Sequence, residues 1–128
     1  MVSRSDRLKR LVKLQDQIKM MHEMRHASHL SQATAAGQEV NELLESLNTA
    51  SPLPGLFADI YNRRIGAAMT RQAQATAHAD VEAGHVATAT ARSNVVERAY
   101  RDAARLEERT QEEKQVLENI ERGLSDRK

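Results

Sequence analysis

Both prolines of the chain fall in one short stretch, NTASPLPGLF, as Pro52 and Pro54. Proline has no backbone N–H and pushes the residue before it out of the helical region. A helix arriving from the N-terminal side must therefore end near Leu47 to Thr49. Asn48, Ser51 and Gly55 suit a helix exit and a turn. On both sides of this stretch the propensities are helical. The sequence predicts two helical arms, about 5–48 and about 57–126, joined by a turn over about 49–56. At about 1.5 Å per residue the arms are roughly 65 Å and roughly 100 Å long.

Such helices bury little alone, and the composition offers no other core. Phe57, Tyr61 and Tyr100 are the only aromatic residues and there is no Trp. Aromatic side chains carry much of the buried area of ordinary cores. Charged residues make up 29% and alanine is abundant, a composition of long paired helices. The expected fold class is all-α. It is an elongated antiparallel two-helix coiled-coil hairpin with an overhanging C-terminal helix, a single domain over residues 1–128. A break of the second arm near Gly84 would instead give a three-helix bundle.

The apolar spacing supports pairing. Ser5 is a candidate N-cap, and Leu8 opens an apolar stripe. Leu14, Ile18 and Met21 recur at coiled-coil spacing, as do Ala36, Val40, Leu43 and Leu47. Joining these two sets requires passing through Arg25 and His29, an insertion of four residues that predicts a stutter. The second arm carries Val96, Ala99, Ala103, Leu106, Thr110, Glu113, Leu117, Ile120 and Leu124. Between Ala67 and Ala104 alanine dominates. Small seam residues let helix axes approach but bury little per turn. In a hairpin closed at the prolines the N-terminus lies near Val96 to Leu106. Leu106, Leu117, Ile120 and Leu124 then run out past it, and an exposed stripe on a helix reads as an interaction site or an oligomerisation seam.

Within the predicted stutter, His22-Glu23-Met24-Arg25-His26 spells H-E-x-x-H, with His29 three residues on. That is the zinc-protease spacing. His22, His26 and His29 share a helix face. His29 sits about 10 Å along the axis from His22, too far for both to reach one metal. The nearest further acids, Glu42 and Glu45, lie on the same arm, Glu42 about 24 Å away. A two-helix hairpin offers no substrate cleft. The expectation is therefore a polar stretch in the seam, with no metal, no cofactor and no catalytic residue. His78 and His85 are seven apart on the second arm, and nothing in the sequence fixes whether they face this stretch across the hairpin.

Charge excludes further classes. The net charge is +1, too small to draw the chain as a whole to nucleic acid or acidic lipid. No apolar run is long enough to span a bilayer. Zero cysteines fit a reducing cytoplasm. The distribution is uneven, however. Arg4, Arg7, Lys9, Arg10 and Lys13 crowd the start, while Glu107, Glu108, Glu112, Glu113, Glu118 and Glu121 crowd the end. A basic tip facing an acidic one supports antiparallel pairing.

The basic opening RSDRLKRLVKLQDQ, the mid-chain LFADIYNRRIGAAM and the run AYRDAARLEERTQEEKQVLENI together resemble the FliJ/YscO family. These are small coiled-coil stalk proteins of flagellar and type III secretion export. The resemblance implies an antiparallel two-helix coiled coil, similar to the stalk of rotary ATPases. It implies a cytoplasmic, non-enzymatic protein, peripheral at the membrane export gate. Its partners would be the export ATPase, export-gate proteins and export chaperones, with homo-oligomers as a further option. The partner-binding tip would comprise Arg4, Arg7, Arg10, Leu106, Leu117, Ile120 and Leu124. A generic self-associating coiled-coil scaffold is the alternative.

Overall fold

A computed structural model describes residues 2–49 and 57–126. Two helices, α1 (Arg4–Asn48) and α2 (Ala58–Asp126), make up nearly all of them. No strand occurs among the described residues. The helices pack against one another as an all-α hairpin. Their limits agree with the predicted arms to within one residue. Thr49 follows α1, and Phe57 leads into α2 by accepting the N–H groups of Ile60 and Tyr61 at 3.0 and 3.1 Å. Pro52, Pro54 and Gly55 lie outside the described residues.

The second helix runs unbroken through Gly66 and Gly84, which removes the three-helix alternative. Neither glycine has a positive φ. A Cβ at either position meets nothing within 4 Å. Glycine there only adds freedom to the unfolded chain, so Gly66→Ala with Gly84→Ala should stabilise the protein by about 1–2 kcal/mol in total. Thermal unfolding followed by circular dichroism checks this; a lower melting temperature would mean that the backbone at one glycine is needed.

The chain divides into two compact units, each made from both helices: Met1–Ile18 with Ala89–Lys128, and Lys19–Thr88. In the first unit the half-buried and buried positions include Leu8, Val12 and Gln15 on α1, and Ser93, Val96, Tyr100 and Ala103 on α2. Both series step by three and four, as a coiled-coil seam must. Leu14, read from sequence as a stripe residue, is 50% exposed and lies off this seam. The buried Ser93 hydroxyl donates to Asp16 Oδ1 at 2.8 Å, so its burial leaves no unmet polar group.

The N-cap also differs from expectation. Ser3, not Ser5, accepts the Asp6 N–H on its Oγ at 3.2 Å, and its carbonyl accepts the Arg7 N–H. Ser5 is held from the opposite helix. Glu107 Oε1 accepts the Ser5 backbone N–H at 3.1 Å, and Glu107 Oε2 accepts the Ser5 hydroxyl. A carboxylate supplied across the hairpin thus caps the positive end of the α1 dipole.

In the second unit the α1 seam reads His22, His26, His29, Ala33, Ala36, Val40, Leu43 and Leu47. The steps alternate four and three throughout. The predicted stutter is absent. Met21 is exposed, so the phase that began with Leu14 belongs to another face. Facing positions on α2 are alanine-rich. Ala68 and Ala79 are 0% and 1% exposed, and Ala75 is buried as well. Side chains this small let two helix axes approach closely.

Candidate functional site

All five histidines of the chain, His22, His26, His29, His78 and His85, lie in the second unit. Heptad spacing explains the arrangement. His22 and His29 are one heptad apart on α1, and His78 and His85 are one heptad apart on α2. Antiparallel pairing then sets His22 on His85, with ring centroids 4.9 Å apart, and His29 on His78 at 5.2 Å. The sequence alone left open whether these residues face one another across the hairpin; the structure brings them together.

The first layer is anchored by charge. His22 Nδ1 donates to Glu82 Oε2 at 2.7 Å, with both side chains largely buried. That contact fixes which ring nitrogen carries the proton. The hydrogen bond from His22 holds the Glu82 carboxyl below the ordinary glutamate value. Partial burial works against this, and the charges of His22, His85 and Arg25 reinforce it. The sign follows directly: the contact stabilises the fold above the ordinary glutamate range and is lost as pH falls through the lowered value. Among the described residues the second layer has no such anchor, and His29 Nδ1 is buried without a hydrogen-bond partner.

This geometry answers the H-E-x-x-H question. The motif glutamate, Glu23, turns toward Lys19 at 3.8 Å, on the exposed side of α1. His22 is committed to Glu82. Among the described residues no group of three or more histidine or acidic side chains converges as metal ligands would. Glu42 is exposed, and the nearby Glu39 pairs with Arg71 at 2.7 Å and Arg64 at 4.0 Å. A cleft bounded by His29, Glu39, Arg71 and His78 lies beside the second layer, with its one acid already matched by arginine.

The other candidate lies in the first unit. Among the described residues Glu107 is the last of α2 to hydrogen-bond α1, yet α2 continues to Asp126. Leu117 is 61% exposed, and Val116, Ile120 and Leu124 are exposed beside it. Leu106 is exposed too, just outside the seam formed by Ala103 and Glu107. Arg4, Arg7 and Arg10 are exposed at the start of α1. Every residue assigned to the tip from sequence is therefore on the surface of this unit. Sequence reasoning missed the roles of Glu107 and Glu82, whose heptad phase, continuous with Ala103 and with Ala79, was the available signal.

No known protein family, curated protein or solved structure matches the chain.

Proposed function

We propose that this chain is a non-enzymatic coiled-coil stalk and adaptor of a bacterial flagellar or type III protein export apparatus. The observation that carries the reading is the stretch of α2 beyond Glu107, a helix with a heptad-spaced apolar stripe and no facing helix among the described residues. Most helical stability in proteins comes from packing an amphipathic face, so the stripe calls for a partner. The resemblance in the basic opening and the charged C-terminal run points to the export ATPase as that partner, with export-gate proteins and chaperones as further ones. No described helix is long and apolar enough to cross a membrane, and contact with a membrane gate would be peripheral. In this reading the protein works in the cytoplasm.

The test is titration of the chain into a cognate export ATPase, with turnover and binding as readouts. The full chain should bind and stimulate. A chain ending at Arg109 should keep the Ser5–Glu107 contact and lose both effects. Equal stimulation by the shortened chain would sink the proposal. The same stripe has the spacing of a self-association seam, which favours a scaffold as the second reading; that reading predicts assembly with no effect on the ATPase.

A further inference from the structure

The phase correction in α1 leaves a set of apolar residues unexplained. Leu11, Leu14 and Ile18 step by three and four, one position behind the seam residues Val12 and Gln15. One position is about 100° of helix rotation. They therefore form a lateral face of α1, with Leu11 and Leu14 exposed and Ile18 half-buried at its edge with the seam. The same phase continues backward through Arg7 and Arg4. Asp6 falls off this face, and Asp16 is occupied by Ser93. The face is apolar with a basic lead.

The α2 tail carries the complementary pattern. Glu113, Leu117, Ile120 and Leu124 step by four, three and four. Arg7, Leu11, Leu14 and Ile18 step by four, three and four as well. Laid side by side and parallel, Glu113 meets Arg7, Leu117 meets Leu11, Ile120 meets Leu14 and Leu124 meets Ile18. The surrounding charge agrees. Residues 108–126 hold six acids and three bases, a balance of −3, whereas residues 4–13 hold five bases and one acid, a balance of +4.

One chain cannot make this contact with itself. Glu107 grips Ser5, so the tail leaves α1 at its first turn and runs on in the opposite direction. A second hairpin meeting the first start to start has its own α1 running parallel to that tail. By two-fold symmetry the reciprocal contact forms at the same time, giving a closed, self-complementary interface.

We propose that two copies of this chain pair start to start, each laying its α2 tail on the lateral face of the other's α1. The pairing covers the stripe when no other protein does, and any partner that takes the tail must compete with the second copy.

The test is the mass of the full chain in solution, by sedimentation equilibrium from micromolar to submillimolar concentration. A dimer is expected. Arg7→Glu places like charges together and should weaken it by about tenfold or more, as should Glu113→Arg. An equimolar mixture of the two variants should regain most of the affinity, because both contacts of the mixed dimer again pair opposite charges. Circular dichroism confirms that each variant keeps the hairpin. A wild-type monomer at every concentration overturns the proposal. So does a dimer indifferent to Arg7→Glu, which would mean that tails pair with tails, and so does a mixture that stays monomeric. The inference uses the same stripe as the export reading but does not rest on the ATPase. A monomer that stimulates the ATPase removes only the pairing, and a dimer that ignores the ATPase removes only the export reading.

Discussion

Replacing Leu117 and Ile120 together by aspartate should leave the hairpin folded and lower affinity for the export ATPase by a hundredfold or more. Both side chains are exposed on α2 beyond its last described hydrogen bond to α1, so neither contributes to the seam. A partner that buries them gains about 1.5–3 kcal/mol from each. Aspartate forfeits that gain and brings a charge into an apolar contact. The loss from two such positions exceeds the 2.7 kcal/mol or so that corresponds to a hundredfold in affinity. Calorimetric titration measures it, and circular dichroism reports the hairpin. Unfolding of the variant would assign the stripe to an internal core. Full binding by a folded variant would move the contact to Arg4, Arg7 and Arg10.

The opposite pattern is expected deep in the second unit. Ala68→Leu with Ala79→Leu should lower the melting temperature by about 10 °C or more. Both alanines have essentially no exposed surface, so the isopropyl group that leucine adds has nowhere to go without parting the helices. Overpacking costs about 1–3 kcal/mol per site, and for a small domain each kcal/mol is worth about 4–8 °C. Thermal melts of the double variant decide the matter. An unchanged melting temperature would show that the helices can separate here without loss, contrary to a closely packed alanine seam.

The alanine seam also explains what could be read from sequence and what could not. Helix limits were legible because proline acts locally through its own backbone. The exposed spacing of Leu117, Ile120 and Leu124 was legible because nothing apolar among the described residues faces them and nothing polar interrupts their phase. The seam of α1 was not. Leu14 and Met21 are more hydrophobic than His22, His26 and His29, so apolar content favoured the wrong face. The hairpin instead buries the face whose side chains are small or can stack and pair across the gap. His22 is acceptable inside because Glu82 lies opposite, and that partner is 60 residues away in sequence. Ser3 was passed over as the cap because Ser5 has the same chemistry, and only the position of Glu107 separates their roles.

The cross-helix contacts also imply an order of closure. Arg71 to Glu39 spans 32 residues, His22 to Glu82 spans 60, Asp16 to Ser93 spans 77 and Ser5 to Glu107 spans 102. Formed alone, the widest of these would cost about 1 kcal/mol more loop entropy than the narrowest. Formed in sequence, each needs only a few further residues fixed. The hairpin should therefore zip from the turn outward and fray in reverse. Hydrogen exchange should be faster at Ser5 to Leu11 than at Ala36 to Leu43; equal protection at both would argue for all-or-none closure. On a ribosome the first turn of α1 has its local Ser3 cap but stays without the cross-helix carboxylate until Glu107 has emerged. The first turn of α1 is thus among the last parts of the hairpin to settle, beside the tail that follows it out.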